Sequence, residues 1–276
     1  EGLEPSLFPF DPETGRVETD SLTLIDWQDE YIEVALAKNF QFGASGGNDS
    51  NSYYISMGAL LVDGIIAGTG TERYNVTGNF KNEVSDWLTA TTSINAARIE
   101  NTFTQGSDGN AGKFGLLNSI FQTRPAFRDA SEILTDEGDI NQDAEFNGQA
   151  TPQAWLEEYQ DLTLTHTLRV ALGLEAQLSN DFRFKSSIGL NNINNVRQLY
   201  FSQNHVRGRV VGGEGRKIDR KAFSYVWDNL LFFNKKINNK HQIDVTTGTT
   251  YNKYTVDNLN INATFFPDDE LLGDNI

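Results

Sequence analysis

Between positions 162 and 178 the chain alternates almost without a break. Leu162, Leu164, His166, Leu168, Val170, Leu172, Leu174, Ala176 and Leu178 fall on one parity, while Thr163, Thr165, Thr167, Arg169, Gly173, Glu175 and Gln177 fall on the other. A period of two marks a strand with one face in an apolar medium and the other in water. The run is longer than the ~5 to 6 residues usual for a soluble strand and suits a tilted membrane strand of ~9 to 11 residues that overshoots into its loops. After Ser179-Asn180-Asp181 the alternation resumes, with Phe182, Phe184, Ser186, Ile188 and Leu190 on one side and Arg183, Lys185, Ser187, Gly189 and Asn191 on the other.

The same test predicts strands at 38–47, 52–63, 72–82, 87–97, 161–178, 181–193, 218–237 and 241–256. Connections at 47–51, 82–86, 179–181 and 238–240 are tight; those at 64–71, 98–160, 194–217 and 257 onward are long. Short and long therefore alternate, as they do in an outer-membrane barrel with tight periplasmic turns and elaborated external loops. Tyr53, Tyr54, Trp87, Phe182, Phe232 and Phe233 gather beside the tight turns, where an interfacial aromatic girdle is expected. Short helices are expected at 26–33, opened by Asp26, at 113–121, and at 151–158, where Thr151 caps and Pro152 takes the first helical position. The fold class is therefore all-β: an antiparallel transmembrane barrel segment of about eight strands with long extracellular loops. Residues 1–37 are expected to form an extracellular loop with a short helix, 38–97 four strands, 98–160 a long loop, 161–256 four more strands, and 257–276 another loop.

Composition narrows this further. An apolar fraction of 38% is low for a deep core, so the apolar residues must be arranged rather than plentiful, and 18 Phe, 9 Tyr and 24 Gly suit strands and turns. A net charge of −16 argues against nucleic acid and makes acidic substrates unexpected. The absence of Cys removes disulfides and thiolate metal sites. No apolar run approaches the ~18 to 20 residues of a membrane helix, so a membrane location requires a barrel.

Several motifs point to one family. Asp26-Trp27-Gln28-Asp29-Glu30 is followed by a strand ending Ser45-Gly46-Gly47 and then by Ser52-Tyr53-Tyr54-Ile55-Ser56. Asp63-Gly64-Ile65-Ile66, Gly70-Thr71-Glu72-Arg73-Tyr74-Asn75 and Asp86-Trp87-Leu88 come next in order. In this arrangement the chain resembles the SusC-like TonB-dependent outer-membrane transporters of the Bacteroidetes, sharply over 26–97 and more loosely over 150–193. Thr151-Pro152 stands where that family usually has Asn-Pro.

The resemblance implies a 22-stranded barrel with an N-terminal plug. It also implies energy supplied by TonB-ExbB-ExbD, a SusD-like surface lipoprotein as partner, contact with outer-membrane lipid and lipopolysaccharide, and import of oligosaccharides or peptides. A Gram-negative outer membrane is the implied location. The chain departs from the pattern in showing no plug and no TonB box, and in ending at Ile276 on what reads as a loop, so it is expected to be part of a longer polypeptide. Transport is the leading reading. The alternative is a SusC-like barrel serving as a structural or assembly subunit without moving solute.

No catalytic, cofactor-binding or metal site is assigned. Asp136, Asp139, Asn141, Asp143 and Glu145 have the alternation of a calcium loop, but Ala144 replaces the required Gly and no Glu closes the set, so a solvated acidic loop is the plainer reading. His166, His205 and His241 share no ligand spacing, and no nucleophile elbow accompanies the Ser, Asp and His residues. Val211-Gly212-Gly213-Glu214-Gly215-Arg216-Lys217 lacks Walker spacing and is expected to be a flexible loop tip. Arg207, Arg209, Arg216, Lys217, Arg220 and Lys221 make that region basic, which suits lipopolysaccharide phosphates or an acidic partner, with ordinary solvation the plainer reading.

Overall fold

The structure, a computed structural model, describes residues 10–11, 16–17, 23–104, 115–123, 125–127, 150–237 and 240–269. In chain order its elements begin β1 (Phe10–Asp11), β2 (Arg16–Val17), β3 (Thr23–Leu24), α1 (Trp27–Tyr31), β4 (Ala37–Gly47), β5 (Asn51–Asp63), β6 (Gly70–Ser85) and β7 (Leu88–Thr102). They continue α2 (Leu116–Gln122), β8 (Ala126–Phe127), α3 (Pro152–Glu157), β9 (Tyr159–Gln177), β10 (Phe182–Phe201), α4 (Val206–Arg209), β11 (Glu214–Ile237) and β12 (His241–Thr264). Two-residue ladders join β1 to β2 and β3 to β8. The eight long strands form one antiparallel sheet in the order β4-β5-β6-β7-β9-β10-β11-β12. No helix among the described residues is long and apolar enough to cross a membrane.

Local chemistry sets the tight turns. Asn48 accepts from the backbone N–H groups of Ser50 and Asn51 at 3.1 and 2.8 Å, turning β4 into β5. Gly47 must be glycine there, because a Cβ would sit 2.2 Å from the carbonyl oxygen of Asn51. Ser179 makes the corresponding bonds to Asp181 and Phe182 between β9 and β10. At the helices, the carboxylate of Asp26 accepts from Gln28 and Asp29, and the hydroxyl of Thr151 accepts from Ala154, so both predicted N-caps form.

Register gives the strands their tilt. One ladder row runs Gly47, Ser52, Lys81, Thr91, Gly173, Ser187, Asp228. The β4–β5 turn lies on that row, yet the β11–β12 turn begins at Ile237, nine residues further along β11. The turns thus drift by about 30 Å along the strands over six strand spacings of about 4.8 Å, a tilt of about 45°. Membrane barrels have strand tilts of this size.

The apolar residues drift with the turns. The continuous apolar run ends at Leu61 on β5, Tyr74 on β6, Ala96 on β7, Leu190 on β10 and Tyr251 on β12, each nearer the tight-turn end in ladder register than the one before, although Phe223 on β11 lies further out and Leu259 and Ile261 follow later on the same face of β12. A horizontal apolar slab crossed by tilted strands produces this diagonal.

The strands overrun the predicted ends. β10 and β11 remain paired to Phe201↔Glu214, so the loop expected at 194–217 shrinks to 202–213. Likewise β12 continues to Thr264, well into the loop expected from 257. Outside an apolar slab nothing forces one face to be hydrophobic, so Asn191 to Asn195 keep their ladder bonds while losing the alternation.

Candidate functional site

Pairing carries the two faces intact across the whole sheet. Phe42, Met57, Val76, Ala96 and Leu168 share one row of the apolar face; Tyr53, Phe80, Thr92, Leu172, Ile188, Trp227 and Tyr251 share another. These side chains stay uncovered, as Phe42 at 66% exposure and Leu174 at 51% show, which in water would be a severe liability and in lipid is required. The polar atoms on this face satisfy one another: Trp227 Nε1 donates to Ser186 Oγ at 3.1 Å, and Ser186 Oγ donates to Asn229 Oδ1 at 2.8 Å.

The opposite face is polar and cross-linked. Ser93 donates to Asn79 at 2.7 Å, Asn95 to Thr77 at 2.9 Å, Arg169 to Asn191 at 3.2 Å, and Arg183 to Glu175 at 2.9 Å. Two residues expected in the lipid girdle belong here instead. Tyr54 lies opposite Ser45 and Asn79, and Phe232 lies opposite Arg183, whose guanidinium sits 4.4 Å from the ring centre. Adjacent aromatics in a strand must face opposite ways, so only Tyr53 and Phe233 of those pairs reach the apolar side.

At the outer end of the polar face sits a compact apolar cluster of Trp27, Tyr31, Leu116, Ile120, Trp155, Tyr159 and Phe201, bringing α1, α2 and α3 against the ends of β9 and β10. Trp155 packs edge-on to Tyr159 with centroids 5.1 Å apart. Beneath the cluster, fully buried Asp161 takes two bonds from Arg197, the Nε one at 2.8 Å, and a third from the Tyr159 hydroxyl at 3.0 Å. Hydrogen bonding to Asp161 raises the Arg197 pKa. Burial, helped by Glu30 and Glu157, pushes the Tyr31 phenol up to about 12.

His205 caps α4 by accepting from the Arg207 N–H at 3.1 Å, and its ring lies between Trp155 and Phe201 at centroid distances of 4.8 and 4.9 Å. Burial lowers its pKa to about 3, with Arg207 and Arg209 adding to the effect. Its Nε2 has no partner among the described residues.

Sequence patterning placed Asp161 in a strand and weighed His205 for ligand spacing, but missed the Asp161–Arg197 pair because the strand carrying Arg197 was ended at 193. Extending the hairpin ladder from the 179–181 turn brings Arg197 beside Asp161.

The other sequence candidates are dispersed. His166 faces Arg98 and Asn194 across the ladder, above the apolar slab, and His241 opens β12. The calcium-like stretch 136–145 lies outside the described residues. The glycine-rich segment is not a free tip: Phe265 and Phe266 donate their N–H groups to Val211 and Gly212 at 3.0 and 2.7 Å. A Cβ on Gly213, which has φ 84°, would meet the Phe266 ring at 3.2 Å. The local basic charge is partly offset at home. Arg207 grips Glu214 at 2.6 and 2.7 Å, and Lys221 pairs with Asp219 at 3.1 Å.

No protein-family model matches the chain. A curated relative from Formosa agariphila, TonB-dependent receptor P3, is 23% identical over 230 residues, covering 83% of this chain and 22% of the relative. A second from the same organism, TonB-dependent receptor P39, is 23% identical over 267 residues, covering 93% of this chain and 24% of the relative. Among solved structures, the RagAB peptide transporter superposes with a TM-score of 0.70 at 19% identity, covering 90% of this chain and 28% of that one. The RagAB peptide importer in its open-open state gives 0.70 at 17% identity, covering 96% and 30%. The chain therefore spans about a quarter of the curated relatives it matches. In fold the eight strands are similar to a stretch of the RagAB transporter, and in sequence to part of two TonB-dependent receptors.

Proposed function

We infer that this wall belongs to an outer-membrane importer of oligosaccharides or peptides in a Gram-negative bacterium. In this reading a SusD-like lipoprotein works at its outer mouth, and TonB-ExbB-ExbD supplies energy through parts of the protein beyond this segment. The observation that carries it is the unbroken polar face across eight strands, backed by an apolar face of membrane height. A wall that only anchored an assembly has no need of a hydrated, hydrogen-bonded interior. The folded cluster at the outer end of that interior supports the same reading, because it stands where a solute enters.

Growth tests this directly. A strain lacking the full gene is expected to lose growth on at least one glycan or peptide mixture supplied as sole carbon or nitrogen source, and to regain it on complementation. Normal uptake of every such source, with loss of a membrane complex instead, would establish the assembly role and end the import reading.

A further inference from the structure

The net charge of −16 comes from residues outside the eight wall strands, which themselves carry more basic than acidic residues. On the polar face, Arg73 and Arg220 lie in one ladder row, joined through Ile99, Thr165 and Asn195. Neither engages a carboxylate among the described residues. Arg169 follows further in, bonded only to the neutral Asn191. Lys185 lies deeper still, and its cross-strand neighbour Glu175 is already taken by Arg183.

The carboxylates of this face are mostly spoken for. Asp161 is held by Arg197, Glu83 by Lys81, Glu214 by Arg207, and Asp244 by Asn234 and Gln242. Asp228 is the one that no cation or amide engages among the described residues. On the outward face Glu100 is paired with Arg98 and Asp219 with Lys221.

Lys185 also borders a depression of about 480 Å³ in the inner wall. Small residues make its floor, among them Thr91, Gly173 and Ser187 from three neighbouring strands, and Tyr54 and Lys81 rise on its far side. Lys81, which also pairs with Glu83, and Lys185 are three strand spacings and two residues apart, about 16 Å. That distance is too great for one carboxylate and suits two charges on an extended oligomer.

Resting on the import reading, we propose that the inner wall is a binding track for an anionic oligomer, its carboxylates meeting Arg220 and Arg73 first, then Arg169, and Lys185 in the depression. Guanidinium groups at the wide outer rows offer forked donors to carboxylates, and the fixed positive field raises the local concentration of the solute. Hydroxyl groups on the floor hydrogen-bond whatever backbone carries the charges. A carboxylated glycan and an acidic peptide present the same chemistry, and the probes below separate them.

The full-length protein, purified in detergent, would be titrated calorimetrically with tetragalacturonate, tetraglutamate and maltotetraose. At low salt an acidic probe is expected to bind at least tenfold more tightly than maltotetraose, and to lose that advantage in the R73Q/K185Q/R220Q variant. The R73K/R220K variant is expected to keep most of it. Whichever acidic probe binds identifies the source of the carboxylates. Equal affinity for acidic and neutral probes, or an acidic preference untouched by the triple substitution, overturns the proposal. Uptake by cells carrying the triple variant keeps the two readings apart: unchanged import of a neutral glycan leaves transport standing, whereas a deletion strain with no uptake defect at all removes both.

Discussion

At the scale of single residues, two buried polar groups at the outer mouth carry testable weight. Asp161 is wholly enclosed and holds three donors, so Asp161→Ala leaves the Arg197 guanidinium without its partner, at a cost of about 3 kcal/mol. Faster amide exchange confined to 152–162 and 197–206, with the membrane-spanning ladder unchanged, is the expected result. His205 makes a pH prediction. Its folded pKa of about 3 lies below the ordinary value of 6.5, so the folded cluster holds fewer protons than the opened one between those limits. Stability from a neutral His205 is complete above pH 6.5 and is lost as pH falls towards 3, amounting to about 2 kcal/mol by pH 5. Trp155 emission is expected to shift on acidification in the wild type and to be pH-insensitive over that range in His205→Phe.

Single strands and helices tell which parts of this were legible beforehand. Within the slab, alternation located all eight wall strands, since a lipid-facing parity leaves no freedom of composition. Ile188→Arg, on the lipid side of β10, is accordingly expected to cost about 2 to 4 kcal/mol in folding titrations into bilayers, while Ser187→Arg on the other side leaves folding nearly unchanged. Caps were equally legible, because Asp26 and Thr151 act on backbone within three residues; Thr151→Ala is expected to weaken α3 by about 1 kcal/mol, read as protease sensitivity near Trp155.

What stayed hidden shares one cause. Beyond the slab both faces meet water or protein, so Asn191 to Phe201 continue as strand with no pattern to announce it. With that segment read as loop, Arg197, Phe201 and His205 had no positions, and the cluster they build with Trp155 was out of reach. The girdle assignment of Tyr54 and Phe232 failed differently: proximity to a turn was given more weight than parity.

For the wall as a whole, the assignment of faces is open to direct labelling. Single cysteines at Leu172 and Ser187 occupy the same stretch of neighbouring strands on opposite sides. In the full-length protein in vesicles, a membrane-impermeant maleimide is expected to react with the cysteine at 187 and spare the one at 172. The reverse order would invert inside and outside.

Tilt and strand length together have a further result. On β5 only Val62 and Asp63 follow Leu61, whereas on β12 thirteen residues, Leu259 and Ile261 among them, follow the end of the continuous apolar run at Tyr251 before the strand ends at Thr264. At about 45° those thirteen residues rise roughly 30 Å above the lipid. The parapet is therefore a ramp, low beside β4 and high beside β12. Were a lipoprotein to settle on this wall from outside, it would touch the high side first and be turned to a fixed bearing before it reached the low side.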